Sequence, residues 1–251
     1  MEIFAGLSVG FLTLAALVVA TRTFVLWRRT RGLPELLLGL YLSCATVLGY
    51  PILIACTRIP PTQMWPLHLA GQLVMSFGFV FLLLFTLNVF RPGVLWARCL
   101  VGLCLMAFTA GAIVYYRELT GENPRPTAEL ITINLINTTP IAFAYFWTTF
   151  EALSYHRQLR LRMSLGLADP AVVNRLLLWG LMTLAAGAAV VISLGGMLLG
   201  SFLSPPLILV LSSLGVAHAF CLFLAFQPPR WYSAWLAARE DREAQGAATA
   251  G

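Results

Sequence analysis

The segment ITINLINTTPIAF, residues 131–143, places two asparagines, three threonines and a proline in an otherwise apolar stretch. Asn134, Asn137 and Thr138 are spaced so that a helix brings them to one face. Side-chain amides and hydroxyls in such a setting either bind a small polar ligand through hydrogen bonds or link one helix to another. The segment therefore marks a candidate site whose chemistry is hydrogen bonding.

A second polar stripe lies at a comparable depth when each apolar segment is counted inward from its outer end at about 1.5 Å per residue. His68, Gln72 and Ser76 follow the spacing i, i+4, i+8, which aligns them along one helix face. Such groups avoid lipid, so we expect them to face the interior of a helix bundle. The other candidate ligand-binding residues are Tyr50, Ser212 and the deeper His218. Three further polar residues lie at the level of the stripe and are also expected to face the interior: Thr109, Ser193 and Ser213.

Two interpretations of this outer polar layer, the residues of the two preceding paragraphs, stay open. In the first, the side chains join helices by hydrogen bonds worth about 1 kcal/mol each. In the second, they line an outward-facing pocket, beside helices in which Pro51 and Pro140 each free a backbone carbonyl. Close helix contacts are predicted at two glycine pairs with four-residue spacing, Gly6 with Gly10 and Gly196 with Gly200.

Residue sets typical of membrane-embedded enzymes are not found in the sequence. A serine protease of this kind needs a GxSG motif with a histidine on a neighbouring helix, and a zinc hydrolase needs three ligands at one depth. The three histidines lie at different levels, and the five cysteines, all in apolar segments, form no CxxC pair. The sequence thus indicates no enzymatic activity, no catalytic residue, no metal and no cofactor.

The elements that position these residues follow from composition. Hydrophobic residues make up 59% of the 251 residues and charged residues only 10%, and the mean hydropathy is +0.84. A helix needs roughly 20 apolar residues to cross a bilayer. We predict an all-α integral membrane protein, a seven-helix bundle over residues 1–226 followed by a short, partly disordered cytoplasmic tail, 227–251. The predicted helices cover residues 3–26, 34–57, 66–90, 95–117, 128–153, 172–200 and 205–226.

The arginines set the predicted orientation, since basic residues near helix ends stay on the cytoplasmic side. Thirteen of the sixteen basic residues, all arginines, lie in the connections after the first, third, fifth and seventh segments or at their ends. The N-terminus is therefore predicted outside, and the C-terminus inside, a bacterial-type inner or plasma membrane. We attribute the net charge of +6 to this topology and to attraction between the protein and anionic lipids, and we expect no nucleic-acid partner.

Seven helices with the N-terminus outside resemble the layout of microbial rhodopsins. Members of that family need a lysine on the seventh helix to form the retinal Schiff base. This chain contains no lysine, and its last segment offers His218, whose imidazole cannot form that linkage. The resemblance is therefore confined to helix number and orientation and carries no site residue.

Acidic residues at the cytoplasmic edge predict contacts between helices. Glu35 and Glu151 lie at the edge of the apolar core, where an unpaired carboxylate is costly. Each is therefore expected to form an ion pair with an arginine of another helix. The candidate partners are Arg22, Arg91, Arg98 and Arg175.

The fifth helix is expected to continue beyond the membrane as a basic, ordered connector, 154–170. Asp169 and Pro170 form an N-cap and first-residue pair that opens the next helix. The connector either lies on anionic headgroups or docks a partner. Its candidate partner-binding residues are Arg157, Arg160 and Arg162.

These features favour a receptor-like protein, a sensor or signalling subunit whose outer polar layer binds a small polar ligand and whose cytoplasmic face contacts a separate partner. The short loops and the lack of acids near the membrane midplane favour this function over a small-solute transporter or channel. The transporter and an accessory subunit of a larger membrane complex stay as alternatives.

The predicted orientation is tested with reporter fusions. A reporter fused after Phe226 is expected to be active only in the cytoplasm, and a tag at Met1 should be reachable from outside intact cells, because the arginine bias retains the basic connections inside. A C-terminus that is reachable from outside would contradict the predicted number of crossings.

Overall fold

The structure is a computed structural model of the chain, and every secondary-structure element in the residues it describes is helical. The all-helical prediction is therefore confirmed. The described residues are 2–56, 61–121, 131–163, 165–201, 204–232, 234–236 and 238.

The helices follow one another with short connections. Their bounds are Glu2–Thr30 (α1), Leu33–Tyr41 (α2), Tyr50–Cys56 (α3), Pro61–Phe90 (α4), Leu95–Thr120 (α5), Ile131–Met163 (α6), Pro170–Leu198 (α7) and Pro205–Phe226 (α8). A π-helical segment, Leu42–Gly49, joins α2 to α3, so that Leu33–Cys56 forms one continuous helix. In α4 the backbone departs from helical angles at Met64, two residues before Pro66.

Six of the helices in the described part of the chain are long and apolar enough to cross a membrane. They are α1, the continuous helix Leu33–Cys56, α4 from Met64 onwards, α5, α7 and α8. The chain therefore has the features of a multi-pass membrane protein. The remaining long helix, α6, has 33 residues but falls below the apolar level of the other six, because polar residues are spread along its length.

Local chemistry explains where the helices around the connector begin and end. Asp169 accepts a hydrogen bond from the backbone N–H of Ala171 at 2.8 Å, and Pro170 is the first residue of α7, as predicted from the sequence. Beyond α6, Gly166 adopts a φ of +70° and its N–H donates to Met163 O, while Leu167 N–H donates to Arg162 O. This is a Schellman motif, which explains the glycine and satisfies the last carbonyls of α6.

The helices form a closed ring, in which α1 contacts the helix Leu33–Cys56 on one side and α8 on the other. From there the order runs through α4, α5, α6 and α7 to α8, and α6 and α7 form the most extensive helix pair. Because α4 also contacts α6, α5 lies at the edge of the bundle. The core at the centre of the ring includes the fully buried Tyr41, Phe79 and Leu222.

Glycines allow the π-helical segment to lie directly against the backbone of α4. A Cβ atom on Gly78 would lie 2.5 Å from the backbone nitrogen of Ala45, and one on Gly49 would lie 2.9 Å from the Cα of Met75. Only a residue without a side chain permits approaches this close. These two positions fix how the second membrane-spanning helix meets α4.

The close contacts predicted at the glycine pairs with four-residue spacing are not formed at Gly6, Gly10 or Gly200. A Cβ atom on Gly6, Gly10 or Gly200 would meet nothing within 4 Å, and Gly200 lies beyond the end of α7 with a φ of +64°. The four-residue spacing is a weak predictor of helix contacts, because glycine is frequent in membrane helices and packing across the bundle decides what lies next to it.

Two substitutions of glycine by alanine are expected to have different effects on the melting temperature. Alanine favours a helix interior over glycine by about 1 kcal/mol, so Gly10→Ala should leave the melting temperature in detergent unchanged or raised. Gly78→Ala should lower the melting temperature, because the new methyl group meets the backbone of Ala45. Equal shifts in the two variants would contradict the close contact between the π-helical segment and α4.

Candidate functional site

Half of the residues of the predicted outer polar layer are buried. The buried members are His68, Gln72, Ser76, Asn137, Ser212 and His218. Tyr50 and Thr138 are half-buried, and Asn134 lies in the first turn of α6, where the side chains are outside the described part of the structure. Ser193 is also half-buried, so a set of polar groups does face the protein interior.

One threonine and one serine of the layer point outward, although both were expected to face the interior. Thr109 and Ser213 are exposed, and their hydroxyls donate to carbonyls one turn back, at Leu105 and Leu209, each at 2.9 Å. The expectation that both face the interior is wrong because a hydroxyl satisfied by its own helix carries little penalty in lipid.

The buried members of the layer do not converge on one point. Gln72 Nε2 donates to Ser76 Oγ at 3.5 Å, which is a long bond within one helix. The carbonyl of Ser212 accepts a hydrogen bond from Ser8 Oγ at 2.9 Å and so joins α8 to α1. The side chain of Asn137 packs against Gly111 of α5, at the edge of the ring.

Two buried polar atoms of the predicted site have no hydrogen-bond partner among the described residues. They are Oδ1 of Asn137, whose side chain is 6% exposed, and Nε2 of His218, which is 4% exposed. Most buried polar atoms in native proteins are hydrogen-bonded, and exceptions need an explanation. Both atoms can accept a hydrogen bond from a bound molecule.

A cluster of aromatic residues occupies the centre of the bundle. The hydroxyls of Tyr41 and Tyr145 lie 3.3 Å apart, and the rings of Phe79 and Tyr145 pack edge to face with centroids 5.0 Å apart. The ring of His218 lies edge-on to Tyr145, with 6.4 Å between centroids. Tyr41 and Tyr145 were not identified as site residues from the sequence, because tyrosine is also common in apolar cores.

Threonine pairs join α6 to the helices on both of its sides. Thr148 Oγ1 lies 2.7 Å from Thr86 Oγ1 of α4, and the adjacent Thr149 Oγ1 lies 2.8 Å from Thr183 Oγ1 of α7. All four hydroxyls are also within hydrogen-bonding distance of carbonyls of their own helices. Thr183 Oγ1 also lies 3.2 Å from the carbonyl of Gly180. Each pair has only two protons for these bonds, so in each pair one hydroxyl donates to the other helix and one to its own.

An ion pair ties the C-terminal end of α4 to α6, as expected for Glu151. Arg91 Nε lies 2.8 Å from Glu151 Oε1, which also accepts a hydrogen bond from Trp147 Nε1 at 3.1 Å. The guanidinium lies over the ring of Trp96, 5.8 Å from its centroid. The hydrogen bond to Glu151 is the largest contribution that raises the pKa of Arg91 above its usual value.

Glu35 does not form the ion pair that was predicted for it. Its Oε2 atom is buried without a hydrogen-bond partner in the described residues, and the carboxylate lies over Gly32 at the start of α2. A carboxylate in the first turn of a helix is stabilised by the helix dipole, which explains why no arginine is required there. Arg22 instead binds the carbonyl of Phe226 and, at 2.8 Å, the side-chain oxygen of Gln227.

The connector, residues 154–170, is basic, and its arginines are exposed. Arg157, Arg160 and Arg162 are all exposed, and α6 stays helical through Met163. His156 Nδ1 lies 2.9 Å from the carbonyl of Val173, which ties this end of α6 to α7. The three arginines therefore project from a helix whose base is fixed.

Two surface pockets formed by described residues lie away from the outer polar layer. One is bounded by the start of α7, the end of α8 and the segment after α8, and Asn174 and Tyr232 of its lining hydrogen-bond to each other. The other lies along α1 around Thr21, Trp27 and Arg28. Neither pocket is lined by a predicted ligand-binding residue.

The fold and these contacts together define an all-helical, multi-pass membrane protein with a polar interior and a basic connector at one end of α6. No protein-family model, curated protein or solved structure matches the chain. The function is therefore argued from the contacts of its own residues.

The threonine pairs predict a difference between two substitutions in the same helix. Thr148→Val removes the hydroxyl that bonds Thr86 of α4 and should destabilise the bundle by about 1 kcal/mol. Thr139→Val is the control, because Thr139 is exposed and its hydroxyl bonds only Leu135 O of its own helix. Thermal unfolding in detergent measures both, and equal effects would contradict a link between helices.

The ion pair predicts that one variant rescues another. Arg91→Met leaves the buried Glu151 carboxylate without its cation and should destabilise the protein by about 1–3 kcal/mol, a range reduced because the arginine is partly exposed. Adding Glu151→Gln to Arg91→Met should restore most of the loss, because a neutral amide needs no counter-charge. The free energy of unfolding is measured for the two single variants and the double variant. If the double variant loses the sum of the two single losses, the ion pair does not contribute to stability.

Proposed function

We propose that the protein is a receptor-like membrane protein of seven crossings that transmits occupancy of its outer polar layer to a separate cytoplasmic partner. Its N-terminus lies outside and its C-terminus inside a bacterial-type inner or plasma membrane. It has no enzymatic output of its own. The observation that carries this proposal is the unbroken course of α6 from Asn137 to the exposed Arg162.

The length and packing of α6 support its role as the seventh crossing. At about 1.5 Å per residue, its 33 residues extend over roughly 50 Å, well beyond a hydrocarbon core of about 30 Å. The helix packs against α4, α5 and α7, three helices with the apolar length of membrane crossings. Its polar residues can face these neighbours and thereby avoid lipid.

Contacts at successive levels of α6 support the transmission. Near one end Asn137 presents an oxygen without a partner among the described residues, and at the centre Tyr145 contacts Tyr41 and His218. Further along, Glu151 binds Arg91, the residue directly after α4. A change in the position of α6 at any of these levels is carried to the connector, because α6 is continuous between them.

The unpaired acceptor atoms favour ligand binding over the purely structural interpretation of the layer. A ligand with hydrogen-bond donors gains bonds at Asn137 Oδ1 or His218 Nε2 without breaking an existing bond between helices. The same two atoms also suit passage of a polar solute, which keeps a small-solute transporter as the second candidate. The two functions differ in whether the cytoplasmic arginines are required.

Charge reversal at the connector tests the output. The variant Arg157→Glu, Arg160→Glu, Arg162→Glu is expected to lose capture of its cytoplasmic partner, measured by photo-crosslinking at the neighbouring Gln158 in native membranes, because the exposed basic surface is removed. The matched control reverses Arg28 and Arg29 in the last turn of α1 and Arg31 directly after it, which are predicted on the same side. The orientation of both variants is checked with the reporter fusions, since each weakens the basic bias.

Partner capture that survives in the connector variant with its orientation intact would contradict the sensor function. Uptake of a labelled solute into vesicles that depends on His218 and does not depend on the three arginines would favour the transporter. On the input side, Asn137→Leu should abolish stabilisation by any small polar molecule that raises the wild-type melting temperature.

A further inference from the structure

The helix Leu33–Cys56 changes its hydrogen-bonding pattern between Leu42 and Gly49. At the end of this segment the N–H of Tyr50 donates to the carbonyl of Ala45, five residues back, where an α-helix would use the residue four back. π-Helical turns are rare, and they are frequent at functional sites. Because a π-helical turn is wider than an α-helical turn, the segment contains more residues than an α-helix of the same length along the axis.

Two features of the sequence explain why the π-helical segment lies here. Pro51 has no N–H, and in a regular α-helix its ring would clash with the carbonyl of Val47. The wide turns before the proline relieve that clash. Gly49 of the segment and Gly78 of α4 then allow the widened backbone to lie close to α4.

The π-helical segment changes how two tyrosines of the same helix are oriented relative to each other. Tyr41 and Tyr50 are nine residues apart, and in a regular α-helix such residues point in opposite directions, because each residue turns the helix by about 100°. The hydroxyl of Tyr41 lies 3.3 Å from that of Tyr145 of α6. Because each residue turns a π-helix by less than it turns an α-helix, the segment brings Tyr50 round towards the helix face that carries Tyr41.

We infer that the π-helical segment is a switching element, in which a shift of one residue into α-helical bonding turns Tyr50 away from the helix face that carries Tyr41, while Tyr41 stays bonded at the centre. Such a shift rotates α3 by about 100° relative to α2. Its role in signalling rests on the proposed function, because Tyr50 is a candidate ligand-binding residue. A ligand that contacts Tyr50 stabilises the π-helical form in proportion to its preference for that form.

Fluorine NMR of the protein labelled with 3-fluorotyrosine tests the switch without a ligand or a partner. The chain has seven tyrosines, and comparison with Tyr50→Phe assigns the Tyr50 signal. The wild type is expected to show two Tyr50 resonances in slow exchange. Deletion of Leu48, an exposed residue of the segment, removes the extra residue and should leave one resonance.

The matched control is Leu48→Ala, which trims the same side chain but keeps the residue count, and both resonances should persist in it. A single Tyr50 resonance in the wild type, or two in the deletion variant, would overturn the inference. If the deletion variant does not fold, Pro51→Ala takes its place. Restoring the missing N–H should then move intensity towards the α-helical resonance, and unchanged intensities would overturn the inference.

Partner capture separates this inference from the proposed function. Capture that is lost on deletion of Leu48 and kept in Leu48→Ala supports both. Capture that persists in a deletion variant with one Tyr50 resonance overturns the switch and leaves the receptor function standing. Two Tyr50 resonances in a wild-type protein that captures no partner through its arginines support the switch and contradict the receptor function.

Discussion

The arrangement of the bundle depends on the need to satisfy the polar side chains of α6 inside an apolar protein. This helix is the least apolar of the long helices, and a surface of amides, hydroxyls and a carboxylate facing lipid would cost several kcal/mol for each unpaired group. The ring resolves the problem by placing α6 between α5 and α7 and against α4. Thr148, Thr149 and Glu151 each bond a neighbouring helix. The order of helices around the ring is thus tied to the chemistry of one of them.

The second constraint is the close contact between the π-helical segment and α4. Gly49 and Gly78 remove side chains at two points where the backbones meet, and Ala45 fills the space between them. A wider helix needs more room than an α-helix, so the irregular backbone is tolerated only where the partner helix has no side chain. Pro51 makes the irregularity favourable within its own helix, and Gly78 makes it compatible with the neighbour.

Local features of the fold could be predicted from the sequence, and contacts between distant residues could not. The cap formed by Asp169 and Pro170 was predicted because it depends on adjacent residues alone. The ion pair of Glu151 was predicted because a carboxylate at that depth requires a cation, although Glu35 met the same need with a helix dipole. The prediction of close contacts at Gly6, Gly10 and Gly200 is wrong, because spacing along one helix does not say what lies opposite it. Similarly, nothing in the residues around Leu42–Gly49 distinguishes π-helical from α-helical bonding except Pro51.

In the candidate site, burial of the polar side chains could be predicted from the sequence, whereas their hydrogen-bond partners could not. Burial of Gln72, Asn137 and His218 follows from their polarity, because such side chains avoid lipid wherever the neighbouring helices lie. Whether they are bonded depends on those neighbours, and the threonine pairs show that α6 can be satisfied completely where suitable partners face it.

The two ends of α6 are therefore held differently. Towards the connector, hydroxyl pairs, an ion pair and the bond from His156 to Val173 tie α6 to α7 and to the α4 side of the bundle. Towards Asn137, an acceptor is left without a partner among the described residues, and the side chain packs against Gly111 of the peripheral α5. A ligand bound there would add interactions that the bundle does not already supply. The distribution of satisfied and unsatisfied groups along α6 thus supports the proposed input near Asn137, and the bonds further along couple any displacement of α6 to the helices around it.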